Sequence, residues 1–439
     1  MKVMTEIDER REQFMSRIKG GAAIFVSAAV AIRNGDVEHE YRQDTDFYYL
    51  TGFEEPNAVA VLVPDHPDSR FVLFVQPKDP EREVWTGWRA GEAGAVGGFG
   101  ANVAHTIDQL DKELPKLLSA ANRIYYRLGS DPGFDERIVR LMPRFQRERQ
   151  RNGIGPTSIV DPGQTLHELR LVKDDEELTR LERAVDISCE AHLEAIKALR
   201  PGMFEYELEA ILSYVFLKNG SRRPGYASIV ASGPNSTVLH YTSNKCRIRE
   251  DDLVLIDAGA EFDYFTGDVT RTIPASGKFN EAQAEIYEIV LSAQVEAIRA
   301  VKPGAAFIEP HDRAVRVLTE GLIRLGILKG EPDKIIEDGE YQKYYMHRTS
   351  HWLGMDVHDA GPYKEGDEWR RLAPGMVLTV EPGLYFNEDD PTVPSRFRGI
   401  GIRIEDDVLV VQGGNRILSE RVPKNIAAIE ELMEASRRS

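Results

Sequence analysis

Residues 253–272 read LVLIDAGAEFDYFTGDVTRT. An apolar run ends on Asp257, a turn region follows with Gly259 and Asp263, and a returning run carries Asp268 beside Thr270 and Thr272; together they spell a β-hairpin. An apolar strand seldom ends on a carboxylate without a partner, because a buried ionised carboxyl must be paired or bound to metal. Here two such residues stand eleven positions apart on one hairpin. Either aspartate alone reads as a turn former or a solvated edge residue, but the second half of the chain changes that reading. MVLTVEPG places Glu381 at the end of another apolar strand, with Gly383 two positions on as Gly259 follows Asp257. GIGIRIEDDVLVV then puts Glu405 in the middle of a strand-like run. Two apolar hairpins, each with two carboxylates, imply a shared site.

At 439 residues the chain exceeds one compact core and implies two domains. Its net charge of −17 argues against a nucleic-acid partner, since phosphate binding needs a basic surface. Cys189 and Cys246 are the only cysteines, too few for a disulfide framework or a thiolate metal cage. The longest apolar run, residues 21–32, falls well short of the roughly 18 residues that a membrane span requires. It follows a mixed-charge segment instead of the basic head of a signal peptide, so it reads as a buried strand in a cytoplasmic protein without a membrane partner.

Residues 4–18 read as a charged amphipathic helix and 22–32 as a strand. YRQDTDFYYLTGFEEPNAVAVLVP reads as an aromatic turn leading into a strand at 58–63. FVLFVQP is another strand, whose continuation carries Trp85 and Trp88 before the glycine-rich GEAGAVGGFG. That glycine run lacks the strand-then-helix GxGxxG order of a dinucleotide loop. A helix at 107–120 and a strand at 123–128 complete an alternating α/β domain. The polar, Gly- and Pro-rich stretch 151–168 reads as a linker.

A long helix begins near Asp174, with acidic residues at its positive end and Leu178, Leu181 and Val185 at helical spacing. It stops at Pro201-Gly202, and a second helix over 205–218 ends at Asn219-Gly220. EAIKALRPG at 194–202 recurs as EAIRAVKPG at 296–304. Each copy is followed by another helix and a carboxylate-bearing pair of strands, which implies two related halves enclosing one site.

Between the carboxylate pairs lies YYMHRTSHWLGMDVHDAG, with His347, His351 and His358. His347 and His351 have i, i+4 spacing, but no Glu follows the first as an HExxH zinc helix demands, and Gly354 interrupts, so the stretch reads as loop and strand. Four carboxylates in one cleft cannot all stay ionised unaided. Two divalent cations would offset them, with a neutral His351 completing a set of hard oxygen donors that suits manganese, and cobalt, iron or zinc as substitutes. Two such ions share a water, lower its pKa and polarise a carbonyl, so the expected reaction class is metal-assisted hydrolysis.

At these residues the chain resembles the pita-bread metallopeptidases, and within them the aminopeptidase P (Xaa-Pro aminopeptidase) family. The resemblance runs over nearly the whole chain, through YRQDTDFYYLTGFEEPNA, RPGMFEYELEA, LHYT, LVLIDAG, GDVTRT, SHWLGMDVHD, VLTVEPGLY and GIGIRIEDD. It implies an α/β N-terminal domain and an α+β pita-bread (creatinase/aminopeptidase-like) C-terminal domain with an internal pseudo-twofold repeat. Residues 1–168 would then serve oligomerisation and substrate access, and 169–439 catalysis. By the same resemblance Asp257 chelates one metal, Asp268 and Glu405 bridge both, and His351 and Glu381 hold the other. Glu381 would also be the general base toward a metal-bridging hydroxide nucleophile. His240 and His358 would orient substrate and stabilise the tetrahedral intermediate. His347, Tyr385 and Arg403 would shape the pocket for a proline ring, and Trp85 would reach a neighbouring subunit's site in a homotetramer.

The implied substrates are peptides with proline second, whose scissile bond is a tertiary amide without an N–H. An Xaa-Pro dipeptidase (prolidase) is the near alternative, separable by activity on a tripeptide. A catalytically silent binding module or a metal-free creatine-hydrolysing relative should lack metal ligands, whereas all five candidates are present here. A methionine aminopeptidase fits the large N-terminal domain poorly. One departure stands out: the family usually carries Gly after the first histidine of the cluster, and here Arg348 follows His347. Unless it extends toward solvent, that guanidinium is expected to narrow substrate choice or lower turnover.

Overall fold

The apolar runs of the N-terminal part assemble into one mixed sheet, in the spatial order Val103–Thr106, Phe71–Val75, Val59–Leu62, Gly21–Val26, Arg123–Tyr125 and Ile159–Val160. The computed structural model describes residues 5–438, and this sheet lies in the first of two units, Met1–Leu169 and Arg170–Ser439. Gly21–Val26 runs antiparallel to Val59–Leu62 and parallel to Arg123–Tyr125. Helices Leu110–Leu118 and Pro132–Asn152 bury Leu114, Leu118, Ile138 and Phe145 with Val61, Val72, Phe74 and Ile124 of the sheet.

Several local expectations need correction. The first helix runs Glu6–Arg17 behind a capping box between Thr5 and Asp8, and Met4 lies outside the described residues. The strand expected over 22–32 stops at Val26. Ser27 and Ala58 bond to each other through Ser27 N–H to Ala58 O and Ala58 N–H to Ser27 Oγ, so a side chain replaces the backbone ladder. Ile32–Asn34 forms a separate exposed hairpin with Val37–Glu38. The expected aromatic turn is a helix, Thr45–Thr51. Asp44 accepts from Phe47 N–H at 2.8 Å at its start, and Gly52 ends it at φ 63°. Trp85 lies on a helix, Pro80–Thr86, capped by Asp79 with Pro80 in the first turn. The glycine-rich stretch is also helical over Gly91–Phe99. Residues 151–168 are more than a linker. They hold the end of Pro132–Asn152, the sheet's edge strand Ile159–Val160 and the start of helix Gly163–Leu171.

In Arg170–Ser439 the sequence repeat becomes geometry. Helix Asp175–Ala198 leads to Glu205–Lys218, and Glu281–Ala300 leads to Glu309–Arg324. Asp174 and Asn280 open the long helices with capping boxes to Glu177 and Gln283. Both Pro-Gly turns put glycine in the left-handed region, Gly202 at φ 91° and Gly304 at φ 82°, where a side chain would be strained. Each of these glycines donates its N–H at 2.8 Å to a carbonyl further along the chain, Ile248 O and Leu372 O.

Each half then delivers antiparallel strands. Leu253–Ala258 lies between Ile229–Ser232 and Val269–Pro274. In the second half Val377–Val380 pairs with Asp406–Val411, and Gly383–Phe386 with Ile400–Arg403. Thr270 and Glu405 form a bridge between the two sets, Glu405 N–H donating to Thr270 O at 3.1 Å. Glu405 therefore occupies the gap between two strands, where its backbone serves the other half, and not the middle of a strand. No helix among the described residues is long and apolar enough to cross a membrane.

Candidate metal centre

The strand Leu253–Ala258 is buried along its length, and its register sets Asp257 opposite both Ile229 and Thr270. Asp268 immediately precedes Val269–Pro274. Glu381 follows Val377–Val380 and is fixed by its N–H donating to Thr349 O at 2.8 Å. His351 and Thr379 hold each other through His351 N–H to Thr379 Oγ1 at 3.2 Å and Thr379 N–H to His351 O at 3.0 Å. Asp257, Asp268, His351, Glu381 and Glu405 all line one cavity of about 630 Å³. His240, His347, Arg348, His358 and Arg403 lie on its walls.

Ligand atoms of Asp268, His351 and Glu405 all lie within 4.8 Å of one another. His351 Nδ1 sits 3.0 Å from Trp352 O, so that nitrogen carries the proton and donates. The other nitrogen, Nε2, faces Asp268 Oδ2 at 3.3 Å and Glu381 Oε1 at 3.5 Å. A histidine held by one nitrogen on a backbone carbonyl, with the other aimed at carboxylates, is oriented as a metal ligand is. The Tyr226 hydroxyl reaches Asp257 Oδ1 at 2.6 Å and Asp268 Oδ1 at 2.5 Å, and Thr270 Oγ1 donates to Glu405 Oε2 at 2.6 Å. Arg403 Nη2 pairs with Asp257 Oδ2 while its Nη1 donates to Tyr385 OH at 3.0 Å. Tyr385 OH in turn meets His347 Nε2 at 2.8 Å. The rings of His351 and His358 are 4.4 Å apart, edge to face.

Residues 179–412 match the model of metallopeptidase family M24. The chain belongs to metallopeptidase family M24. Residues 7–125 of this M24 metallopeptidase also match the aminopeptidase P N-terminal domain. It is 42% identical over 435 residues to the Xaa-Pro aminopeptidase of Escherichia coli K12, covering 99% of this chain and 98% of that protein. Among solved structures it is similar to the Pseudomonas aeruginosa aminopeptidase PepP, with a TM-score of 0.96 at 47% identity over 99% of this chain and 98% of that one. A Zn-substituted E. coli aminopeptidase P in complex with product gives a TM-score of 0.94 at 41% identity, over 99% of each chain. The α/β N-terminal domain and the pita-bread C-terminal domain are the architecture of these relatives.

The donor set of the M24 metallopeptidase fits divalent cations. Four buried or nearly buried carboxylates face one guanidinium, Arg403, and burial together with Asp268 and its acidic neighbours drives Glu405 well above the carboxylate range. Burial also raises Glu381, against the opposing pull of His351 and Arg403. The imidazole of His351 is expected to be neutral beside two bound cations, and without them its surroundings favour the proton. Burial alone would lower its pKa, but the Asp268 hydrogen bond and the charges of Glu381 and Asp268 lift it to about 9. His347 goes the other way, pushed down to about 3 by burial and Arg403. His358 is lowered by burial and by the His351 charge.

Sequence reading missed Tyr226 and Thr270 as carboxylate partners. A tyrosine in RPGYASIV carries no local mark, since its two partners lie 31 and 42 positions away. For Thr270 the signal was present, because its register opposite Asp257 turns its side chain into the same site. Trp85 is not among the residues that line the cavity. It lies on the N-terminal unit with 88% of its surface exposed.

Proposed function

We propose that this M24 metallopeptidase is a dinuclear-metal exopeptidase that releases the N-terminal residue from peptides with proline in second position. The convergence of Asp257, Asp268, His351, Glu381 and Glu405 on one cavity of about 630 Å³ carries the reading, and its similarity to Xaa-Pro aminopeptidases supplies the substrate class. In this reading Asp257 would hold one ion, Asp268 and Glu405 would serve both, and His351 and Glu381 would hold the second. Manganese is the assigned metal, because a set of carboxylate oxygens with one imidazole suits a hard ion. When bound, the pair supplies an activated water and a polarised carbonyl.

The chain's own residues do the rest. Glu381, ionised as a ligand of the second ion, would take the proton of the attacking water and deliver it to the leaving proline nitrogen. His240 and His358 stand on the cavity wall, and each offers an N–H to the carbonyl oxygen as charge develops there. His347 stays uncharged. With Arg403 it forms a wall against which a proline ring packs without desolvating an imidazolium, and Tyr385, outside the cavity lining, holds both through its hydroxyl.

The assignment extends to location and assembly. Cytoplasmic residence agrees with two free cysteines. A homotetramer in which Trp85 reaches a neighbouring site accounts for Val84, Trp85 and Trp88 being 82%, 88% and 66% exposed on one short stretch. Residues 1–168 serve that assembly and 169–439 the chemistry. The deciding experiment is release of the first residue from an Xaa-Pro-Yaa tripeptide by chelated protein with and without manganese. Cleavage before proline that depends on manganese is expected. Cleavage confined to Xaa-Pro dipeptides would make the enzyme a prolidase, and no metal uptake would overturn the reading.

A further inference from the structure

We propose that Glu205, outside the metal cluster, is the positioning residue for His240; the proposal rests on the reading that His240 takes part in the reaction. His240 is exposed on the connection between strands Ile229–Ser232 and Leu253–Ala258, where only the short turn Gly233–Thr237 is regular. No strand ladder fixes it, yet a donor aimed at a developing charge must hold its place to a fraction of an ångström. Glu205 supplies the missing support. It is the first residue of helix Glu205–Lys218 and its exposure is 0%.

Its carboxylate gathers both ends of the loop. Oε1 accepts from Ser232 N–H at 2.8 Å, Ser232 Oγ at 2.7 Å and Asn235 Nδ2 at 2.9 Å. Oε2 accepts from Tyr241 OH at 2.8 Å and Cys246 N–H at 2.8 Å. Glu205 N–H closes the contact on Cys246 O at 3.0 Å. One side chain thus ties the residues before the loop to the residue next to His240 and to the stretch beyond it. Leu239 and Tyr241, the neighbours of His240, pack against Ile229, Ala231, Leu255 and Tyr385. His240 is left between them on the cavity wall. The carboxylate is specific to this task because all five of its partners point donors at it. A glutamine would turn an N–H toward either Ser232 and Asn235 or Tyr241 and Cys246, and Cys246 N–H has no way to become an acceptor.

The test compares Glu205→Gln, Tyr241→Phe, His240→Ala and the double variant Glu205→Gln/His240→Ala, loaded with manganese and assayed on an Xaa-Pro-Yaa tripeptide. Glu205→Gln is expected to lower kcat roughly 10–100-fold, the scale of an ångström-sized misplacement, with KM and the two bound metals per chain unchanged. Tyr241→Phe keeps the carboxylate and four of its donors, so it folds and shows a smaller loss of kcat in the same direction. The double variant should match His240→Ala alone, because Glu205 acts through that histidine. Full kcat in both Glu205→Gln and Tyr241→Phe, multiplied losses in the double variant, or metal lost from Glu205→Gln would each overturn the role. Full kcat in His240→Ala would instead overturn the reading of His240 itself.

Discussion

The Tyr226 hydroxyl touches Asp257 and Asp268 together, so one phenol orients two of the proposed ligands. Groups that orient ligands are worth about 10–100-fold in metal affinity when removed, and Tyr226→Phe is expected to lose that much in a competitive chelator titration. Unchanged affinity would mean that the strand register alone holds the two aspartates. Arg348 is the residue where the sequence left a question. Its guanidinium lies 5.9 Å from the centre of the Trp369 ring while the residue lines the cavity. It is therefore within reach of a peptide in that cavity, and Arg348→Gly should change kcat/KM unequally across Xaa-Pro substrates of several lengths. Equal values for all lengths would assign it no part in selection. What was legible at this scale follows from physical exceptions. Asp257, Glu381 and Glu405 stood out because a carboxylate inside or closing an apolar run violates the usual burial pattern. Tyr226 did not, because an aromatic residue beside a strand violates nothing.

The loop that carries His358 is pinned by a cluster of buried charges. Arg170 Nη2 donates to Asp356 Oδ2 at 2.8 Å and Asp359 Oδ1 at 2.6 Å, and Lys173 Nζ donates to Asp359 Oδ2 at 2.9 Å. Burial alone would raise the Asp359 carboxyl, and Lys173 and Arg170 more than reverse it, leaving the pKa lowered. A depressed carboxylate contributes stability that is present above its unfolded value of about 3.9 and is lost as pH falls through the folded value. Lys173→Met removes one partner of a buried pair and should cost about 3–5 kcal/mol at neutral pH. The gap to the unsubstituted protein should narrow in urea unfolding at pH 4 and below, and a gap independent of pH would place the loss in packing and not in charge. Legibility among the elements divides along the same line of local against distant causes. The two Pro-Gly turns were readable because the left-handed glycines Gly202 and Gly304 and the helix ends before them are set by adjacent residues. The helices Thr45–Thr51, Pro80–Thr86 and Pro132–Asn152 were missed although Asp44, Asp79 and Asp131 cap them. Thr45–Thr51 and Pro80–Thr86 are too short to show an apolar period, whereas Pro132–Asn152 carries one in Phe134, Ile138 and Phe145 and was legible from its cap and spacing.

For the C-terminal unit as a whole, the cluster is a junction. Asp257 and Asp268 come from the first half of the repeat and His351, Glu381 and Glu405 from the second, with Thr270 and Glu405 bridging the two. Cations bound there would tie the halves together, whereas the metal-free chain must hold like charges in contact. The sign of the pH dependence follows. Glu381 and Glu405 are raised in the folded chain, so it binds more protons than the unfolded one and loses stability as pH climbs from the ordinary carboxylate range. The His351 pKa is raised to about 9. It contributes stability that is complete below its unfolded value of about 6.5 and is lost as pH rises through 9. Metal-stripped protein should therefore melt at progressively lower temperature between about pH 6.5 and pH 9, because below that range the lowered His347 and His358 act in the opposite sense. Ions take the place of those protons and compete with them, so manganese at about 100 times its Kd should add about 2.7 kcal/mol and do so more effectively as pH rises. Calorimetry of stripped and reloaded protein across that range measures both effects. If the two melting curves ran parallel with pH, the carboxylates would not be the groups that bind the metal. Divergence toward alkaline pH would tie metal binding to the same protons that the buried cluster holds when it is empty.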